Sequence, residues 1–332
     1  MDQIWYQKKH HPISYSLYPL SALFALLTKA RRWLYRKQWL KSHQVDIPVV
    51  VVGNINVGGT GKTPTVIALI ELLRKQGFNP GVISRGYGGN YKEKYKLLSK
   101  MDSPERVGDE PAMIYASTKA PVIVSKNRVL AAKVMSEIGA DIIISDDGLQ
   151  HYALARDIEI IVVDGKRRFG NKRILPAGPL REPIERVRIG FGAHPPIVLV
   201  NGGEPLIDKN IMTLLPQPLV GLSETASLPQ AGDAIAAFAG IGNPKRFHTT
   251  LEQLGFKVEV FHAFSDHKSY KTEDFNSLLE TQLNIVMTEK DAIKCRNIPS
   301  MNKASYLPVV GGFNQSFKDS FTKQLRKITD GI

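Results

Sequence analysis

Cysteine is nearly absent from this chain. Cys295 is the single cysteine in 332 residues, so no disulfide can form within the chain and a cysteine-based zinc site is implausible. This usage is typical of a protein from a reducing cytosol. The length is sufficient for two α/β domains with a sizeable core.

Long apolar runs are also missing. The most apolar stretch, residues 13–27, is interrupted by Ser, Tyr and Pro, whereas a bilayer-spanning helix needs about 20 apolar residues. Leu20, Leu23, Phe24 and Leu27 fall on one face of a helix, which predicts a segment that lies in the membrane interface. Two alternatives stay open, a helix docked on the protein's own core and a signal peptide, although no clear small-x-small cleavage site follows.

Acidic residues are outnumbered, and the surplus of positive charge is uneven. The formal net charge is +13. Over half of it comes from residues 1–41, where Asp2 is opposed by Lys8, Lys9, Lys29, Arg31, Arg32, Arg36, Lys37 and Lys41. This asymmetry indicates an anionic partner, either nucleic acid or an anionic membrane surface. Apolar and aromatic residues inside the basic region favour the membrane, because nucleic acid offers that surface nothing comparable.

A glycine-rich loop is the strongest motif. A β-branched run at 49–52 precedes GNINVGGTGKT at 53–63, and helical spacing follows, so the pattern predicts a strand, a phosphate loop and a helix. Lys62 is expected to reach the β- and γ-phosphates of a nucleotide and Thr63 to hold Mg²⁺. Asn56 stands where the strict motif has its first glycine. The predicted nucleotide contacts in the loop are Asn56, Val57, Gly58, Gly59, Thr60, Gly61, Lys62 and Thr63.

Two adjacent carboxylates give the second signal. An apolar strand from residue 142 ends in Asp146 and Asp147, the arrangement that directs an acid at the Mg²⁺ of a phosphate-loop enzyme. Neighbouring carboxylates are costly unless a cation lies near them. The alternative is a solvated Asp-Asp-Gly turn.

Several weaker features have both a functional and a structural interpretation. Asp109 precedes an apolar helical pattern, and composition alone favours a helix N-cap there. Arg128 opens a later helix, either as a solvated residue or as a phosphate contact. Asp266 and His267 follow a predicted strand and form a possible proton-transfer pair. The basic loop 166–173 suits either an anionic substrate or a solvated surface.

The order of strands and helices predicts an α/β protein with three parts. These are an N-terminal basic, amphipathic segment at 1–44, a P-loop kinase-type parallel sheet at 45–215 and a smaller α/β domain at 216–332, with Pro216 and Pro218 at the linker. A single segment, 305–310, is predicted to complete the sheet of the smaller domain. The expected fold is therefore a parallel sheet, a second domain and a membrane-associating helix.

With these segments in order, the sequence resembles the tetraacyldisaccharide 4′-kinases, the lipid A 4′-kinases of Gram-negative bacteria. The resemblance covers nearly the whole chain. It rests on the N-terminus and on residues 57–64, 84–88, 107–111, 146–151, 175–183, 238–244, 266–267 and 288–291. Leu149 departs from the phenylalanine expected in the family, but it is also apolar.

This resemblance implies a reaction and a location. ATP would donate its γ-phosphoryl group to the 4′-hydroxyl of a tetraacylated disaccharide 1-phosphate, a lipid substrate, with Mg²⁺ as the metal. The enzyme would work at the cytosolic face of the inner membrane as a peripheral or monotopic protein on an anionic surface. No nucleic acid and no obligate protein partner are implied.

The resemblance also implies roles for single residues. Asp109 would be the general base, supported by His267 from the second domain, which replaces the N-cap interpretation. Asp146 and Glu182 would join Thr63 on Mg²⁺. The remaining assigned residues, which would position phosphate or stabilise charge, are Asp147, Arg128, His151 and Arg181. Asp109 and Asp147 could exchange roles.

Two other functions are weighed against this one. The first is another NTPase with a variant phosphate loop, such as a metallocofactor-insertion GTPase. The sequence TEKD at 288–291 has its Lys and Asp adjacent, one residue short of the spacing that reads guanine. The second is a nucleic-acid-binding protein, which would bind with steep salt dependence and without lipid.

Overall fold

The computed structural model describes residues 2–6 and 12–329. Lys8 and Lys9, part of the basic N-terminal segment, lie outside the described residues. The helices are α1 (Asp2–Trp5), α2 (Pro12–Ser16), α3 (Tyr18–Arg36), α4 (Lys62–Lys75), α5 (Pro104–Val107), α6 (Asp109–Thr118), α7 (Arg128–Glu137), α8 (Pro244–Gln253), α9 (Asn276–Leu279), α10 (Glu289–Cys295) and α11 (Gln315–Thr329). Short 3₁₀ helices cover Ile184–Val187, Thr272–Phe275 and Pro299–Met301.

The described strands form a large and a small sheet. They are β1 (Val49–Gly53), β2 (Pro80–Ser84), β3 (Lys96–Leu97), β4 (Val122–Val124), β5 (Ile142–Asp146), β6 (Ile158–Asp164), β7 (Ile197–Asn201), β8 (Ile211–Pro216), β9 (Val220–Gly221), β10 (Ala234–Ala239), β11 (Lys257–Ala263), β12 (Asn284–Thr288), β13 (Ser305–Leu307) and β14 (Val309–Phe313). The large sheet has the order β14-β8-β7-β6-β1-β5-β2-β4-β3, and the small one β11-β10-β12-β13-β9.

The large sheet is parallel except at its edges. The strands from β8 to β4 pair in parallel, and β14 and β3 pair antiparallel at the two ends. Every residue of β1, β5 and β6 is buried, as expected where helices cover both faces of a sheet. The prediction of an α/β protein built on a large parallel sheet is confirmed.

Strand β1 lies near the middle of this sheet and positions the site. It pairs with β5 on one side and β6 on the other, so the loop after Gly53 emerges at the carboxyl edge between two neighbouring strands. Ligands of open α/β sheets bind at this edge. Val52 is directly opposite Asp146 in the register, which brings the second sequence motif beside the first.

The prediction that residues 305–310 belong to the smaller domain is confirmed for 305–307 and wrong for 309–310. The chain forms β13 in the small sheet and then β14 in the large one, where β14 pairs with β8. Pro308 separates them, and because proline has no backbone N–H it cannot continue a ladder. Helix α11 then adds Phe317, Phe321 and Leu325 to the core of the large sheet. The division at residue 216 stays a prediction; residues 309–329 pack with the large sheet.

Helix α3 turns its leucines away from the protein. Leu20, Leu23 and Leu27 are each more than half exposed, whereas Ser21 is buried and donates its hydroxyl to the carbonyl of Ile174 at 2.9 Å. Arg31 donates to the carbonyl of Gln150 at 3.2 Å. Within residues 2–6 and 12–329, no helix combines the length and the apolar character needed to cross a bilayer.

Candidate functional site

The phosphate loop follows β1 and leads directly into α4. Gly58 and Gly61 have φ angles of 102° and 93°, a region that glycine adopts without strain. The Nδ2 atom of Asn201, at the end of β7, donates to the carbonyl of Thr60 at 3.0 Å. A Cβ on Gly61 would lie 2.1 Å from that atom. Glycine is therefore required at 61 for both conformation and space.

The first two residues of the predicted contact set anchor the loop to the protein. The Nδ2 atom of Asn56 donates to the carbonyl of Arg168 at 2.7 Å, and the Val57 N–H donates to the carbonyl of Pro179 at 2.8 Å. These bonds fasten the loop to the segment after β6. As nucleotide contacts, both residues stay a prediction.

Asp147 lies between two cations. Its Oδ1 is 3.6 Å from Nζ of Lys62, and its Oδ2 is 3.4 Å from NH1 of Arg181. Burial alone would raise the pKa of the Asp147 carboxyl, but Lys62, Arg181 and Arg128 outweigh it and hold the pKa below its ordinary value. The backbone of Asp147 is left-handed, with φ at 46°. A non-glycine residue in that region is often found where function over-determines the geometry.

Asp146 is fully buried and only half satisfied. Ser84 donates to its Oδ2 at 3.2 Å, while Oδ1 has no hydrogen-bond partner among the described residues. Burial, with the nearby carboxylates of Glu110 and Asp147, raises the pKa of Asp146 to about 7 against the opposing effect of Lys62. A buried carboxylate of this kind would be relieved by a cation.

Arg128 lies close to the two carboxylates, and His151 lies near Arg128. Arg128 is buried at the start of α7 and donates to the hydroxyl of Ser145 at 3.3 Å. Its burial lowers its pKa despite Asp147 and Asp146. Burial and the surrounding arginines lower the pKa of His151 to about 4. Arg128 therefore supports the carboxylates from within the protein, and His151 is neutral at pH 7.

Glu182 is held by several donors. Tyr152 and Gln150 donate to its two carboxylate oxygens, and NE of Arg186 lies 3.3 Å from Oε2. Arg32 from α3 approaches the same oxygen at 3.9 Å. This network joins the N-terminal helix to the loop that carries Arg181. The assignment of Glu182 to the metal stays a prediction.

Asp109 and His267 meet across the cleft between the two sheets. Asp109 is the first residue of α6 and makes no cap hydrogen bond, so the composition-based N-cap interpretation is wrong. Its Oδ2 lies 3.2 Å from Nδ1 of His267 and 3.0 Å from Nζ of Lys294. Burial alone would raise the pKa of Asp109, but His267 and Lys294 outweigh it and lower it. The resemblance correctly pairs these two residues in space.

The two sheets enclose a cleft of about 370 Å³ that opens onto the phosphate loop. Its lining includes Lys62, Thr63 and Glu110 from the large-sheet side and Arg246 and Lys290 from the small-sheet side. The two sides touch at Gly59 and Gly242, where a Cβ on Gly242 would lie 2.6 Å from the Gly59 nitrogen.

A smaller cavity of about 40 Å³ contains Asp109, His267 and Lys294. Asp109 and Glu110 are consecutive, so the start of α6 joins the small cavity to the large cleft.

Sequence reasoning missed several residues of this cleft. Asn201 carries a recoverable signal, since it is a polar residue at the carboxyl end of an apolar strand. Lys290 and Lys294 are spaced i, i+4 on α10, so they share a helix face. Lys290 pairs with Asp266 at 2.7 Å. The TEKD segment, which contributes to the family resemblance and comes close to a guanine motif but has no role in the site predicted from the sequence, therefore supplies a cation to the cleft.

The fold and the site together define a class: an α/β enzyme with a large, mostly parallel sheet, a lysine-bearing phosphate loop and carboxylates at the adjacent strand end. Residues 13–327 match the family model described as tetraacyldisaccharide-1-P 4′-kinase. The chain belongs to this family and is a phosphotransferase. The family match also decides against the GTPase and nucleic-acid alternatives.

Similar proteins agree along nearly the whole chain. A tetraacyldisaccharide 4′-kinase of Shewanella sediminis is 46% identical over 94% of this chain and 90% of its own length. The corresponding protein of Shewanella oneidensis is 45% identical over 99% of this chain and 96% of its own length. The crystal structure of LpxK from Aquifex aeolicus in complex with ATP superposes with a TM-score of 0.75, at 27% identity, over 95% of this chain and 99% of that one.

Proposed function

We propose that this protein transfers the γ-phosphoryl group of ATP to the 4′-hydroxyl of tetraacyldisaccharide 1-phosphate, a step of lipid A biosynthesis. The family match and the ATP complex of the Aquifex aeolicus relative support this reaction. One observation carries it: the phosphate loop lines the large cleft between the two sheets, the Asp109–His267 pair lines the adjoining small cavity, and the start of α6 joins the two. Phosphoryl transfer needs positioning and charge neutralisation above all, and this cleft provides both.

The large-sheet side binds the nucleotide. Backbone amides of residues 58–63 and the N-terminus of α4 receive the phosphates, since unpaired N–H groups and the helix dipole both favour anions. Lys62 then moves from Asp147 towards the γ-phosphate. Arg181, which is paired with Asp147 in this structure, also shares in stabilising the transferred group. Asp147 holds these two cations near the loop, and Arg128 and His151 are the further predicted phosphate-positioning groups.

Mg²⁺ fits the buried carboxylate described above. Thr63 and Asp146 would hold it, with Glu182 as the further predicted ligand. When bound, the ion would neutralise charge on the phosphates. No group of three or more His, Cys, Asp or Glu side chains among residues 2–6 and 12–329 is arranged to hold a metal by itself. That agrees with Mg²⁺ sites that use one or two carboxylates and complete the shell with phosphate and water.

Asp109 acts as the general base. It accepts the proton of the acceptor hydroxyl as the new O–P bond forms and ADP departs with the bond to the γ-phosphorus broken. His267 donates Nδ1–H to Oδ2, because a carboxylate oxygen only accepts, and so orients the base. Since His267 comes from the small-sheet side, the site is complete only with the two sides together, which limits ATP hydrolysis by water.

The surface of helix α3 is evidence for an acceptor that is associated with the membrane. Its exposed leucines lie opposite the buried Ser21, and basic residues flank them, which is the composition of an interfacial helix on anionic lipid. We infer a peripheral or monotopic enzyme at the cytosolic face of the bacterial inner membrane. Arg31 and Arg32 contact the Gln150–Glu182 network, so the same helix links the membrane to the site.

The reaction is tested with γ-labelled ATP, Mg²⁺ and tetraacyldisaccharide 1-phosphate in mixed micelles. We expect label in the lipid, none when the 4′-hydroxyl is blocked, and competition by unlabelled ATP but not GTP. Lipid that stays unlabelled while nucleotide is bound tightly would reject the proposed function.

Membrane association has a separate test with vesicles of phosphatidylglycerol and phosphatidylethanolamine. The pair Leu23→Glu and Leu27→Glu is expected to lower vesicle binding by more than tenfold, because it removes apolar contact and adds negative charge. The matched control, Ile138→Glu with Leu228→Glu, adds the same charge at exposed apolar positions outside α3. Equal losses in both pairs would contradict a role for α3.

A further inference from the structure

Lys294 is a buried cation that the proposed mechanism does not use. It lies on α10 of the small-sheet side, and its side chain is 4% exposed. Its Nζ contacts Oδ2 of Asp109 at 3.0 Å and donates to the carbonyl of Lys268 at 3.2 Å. The same ammonium lies 5.6 Å from the ring centroid of Tyr270. The ammonium group therefore faces a carboxylate, a backbone carbonyl and an aromatic ring.

The groups around Lys294 are hydrogen-bonded to one another within the small-sheet side. The hydroxyl of Tyr270 donates to Asp291 at 2.8 Å, and Asp291 also accepts from the Gly240 N–H at 3.0 Å. Asp291 is buried on the same helix as Lys294. The ammonium is thus held by a network within the small-sheet side while it reaches a carboxylate of the large-sheet side.

Both small-sheet donors contact the same oxygen of Asp109. His267 and Lys294 approach Oδ2, whereas Oδ1 has no hydrogen bond from any described residue. Asp109 also lines the small cavity beside Tyr87 and Gly88. A carboxylate clamped at one oxygen presents the other in a fixed direction, which is what a base needs to receive a proton from an acceptor hydroxyl.

We propose that Lys294 is a positioning residue for phosphoryl transfer, which together with His267 clamps Oδ2 of Asp109 and leaves Oδ1 to accept the acceptor proton. Lys294 acts through Asp109 and does not contact the transferred group. The inference rests on the proposed function and deepens it. It also gives the TEKDAIK segment a role, because Lys290 and Lys294 share one helix face towards the cleft.

The electrostatic surroundings of Asp109 make a pH profile informative. The charged or titratable groups around it are His267, Lys294, Lys290 and Tyr270, with Glu110 next to it in α6 and Glu105 and Tyr87 in the lining of the same small cavity. Lys294 favours the ionised carboxylate. Removing its charge is expected to raise the pKa of Asp109, so the acid limb of kcat/KM for the lipid moves to higher pH.

The test compares Lys294→Met, Lys294→Arg and the control Lys257→Met, an exposed lysine at the start of β11. Lys294→Met is expected to lower kcat for lipid phosphorylation by about 100-fold, because a misplaced reacting group costs about that much. The KM for ATP should change by less than about twofold. Lys294→Arg should return the acid limb towards wild type and restore part of kcat, while Lys257→Met should match wild type.

A double-variant cycle shows whether Lys294 acts through the base. Adding Lys294→Met to Asp109→Asn should lower the residual rate by less than about threefold. The inference is overturned if Lys294→Met keeps wild-type kcat and acid limb, or if its loss is equally large beside Asp109→Asn. Thermal unfolding identifies a folding defect. If Lys294→Met does not fold, Lys294→Gln, which removes the charge but keeps a polar donor, replaces it.

These outcomes separate two failures. Wild-type protein that transfers no label to the lipid rejects the proposed function itself. Wild-type protein that transfers label while the Lys294 variants behave like Lys257→Met rejects only the positioning role.

Discussion

The two sides of the cleft are built in different ways. On the large-sheet side, Lys62, Asp146 and Asp147 follow or end two strands, β1 and β5, that are hydrogen-bonded neighbours in fixed register. On the small-sheet side, His267 and Lys294 reach Asp109 across a gap between two separate sheets.

The difference separates nucleotide binding from acceptor activation. The phosphate groups of a nucleotide would be received by the loop and helix N-terminus of the large-sheet side, whose backbone N–H groups all come from residues 58–63. The base is oriented only when the small sheet is docked. We therefore expect variants of the phosphate loop and its neighbouring carboxylates to weaken both ATP binding and transfer. Variants of Asp109 and of its small-sheet partners His267 and Lys294 should weaken transfer alone.

The largest effect is expected for Lys62→Ala. Removing the ammonium takes away the cation expected to bind the γ-phosphate, so transfer should fall by about 1000-fold. It also leaves Arg181 as the remaining ion-pair partner of Asp147. ATP affinity should fall as well, measured by titration calorimetry. The control is Lys75→Ala, an exposed lysine at the end of α4. If Lys62→Ala binds ATP as tightly as wild type, the expectation that the phosphate loop governs ATP binding is wrong.

Asp146→Asn is expected to lower transfer by about 100-fold or more and yet to stabilise the free protein. The substitution removes a buried charge whose Oδ1 has no partner among the described residues, a group that is costly to bury. Relief of about 1 kcal/mol would raise Tm by roughly 1–2 °C at this chain length. Calorimetry without nucleotide checks the stability, and a lower Tm would contradict this account of Asp146.

His267→Ala should lower kcat by about 10- to 100-fold and leave ATP affinity unchanged. The acid limb should also move to higher pH, because His267 contributes to the lowered pKa of Asp109. His262→Ala is the matched control, since His262 lies in β11 of the same sheet. If both variants lose activity equally, the loss comes from the sheet and not from the contact with Asp109.

The smallest effect concerns stability and pH. Folded His151 has a pKa of about 4 against 6.5 when unfolded, so the unfolded state takes up a proton first as pH falls. His151 therefore costs stability progressively from about pH 6.5 down to pH 4 and costs none above that window. His151→Gln should flatten the fall of Tm across this window relative to wild type. An unchanged slope would show that His151 is not buried as a neutral group.

The large-sheet side could be predicted from sequence because its signals are local. A β-branched run, glycines and a Lys-Thr pair are contiguous, and Asp146 ends an apolar strand. The parallel sheet itself was predictable, since its buried strands are continuous apolar runs. These features depend on neighbours in sequence, so one chain is enough to find them.

The small-sheet side was harder for physical reasons. Composition alone made Asp109 a helix cap, because nothing nearby in sequence shows that its partners are His267 and Lys294, more than 150 residues away. Strand β14 was missed because Pro308 splits one apolar segment between two sheets. The pairing of Asp109 with His267 came from the family resemblance alone. The role of Lys294 could be recognised only from the short distance between its Nζ and Asp109 in the structure.

The central claim is that the phosphate loop governs ATP binding while Asp109, oriented by the small-sheet side, governs transfer, and Asp109→Asn tests it most directly. Its ATP dissociation constant and its rate of lipid phosphorylation should be measured on the same preparation. The account predicts ATP affinity within about threefold of wild type and transfer reduced by about 1000-fold. Transfer within tenfold of wild type, or ATP affinity lost in parallel with transfer, would contradict it.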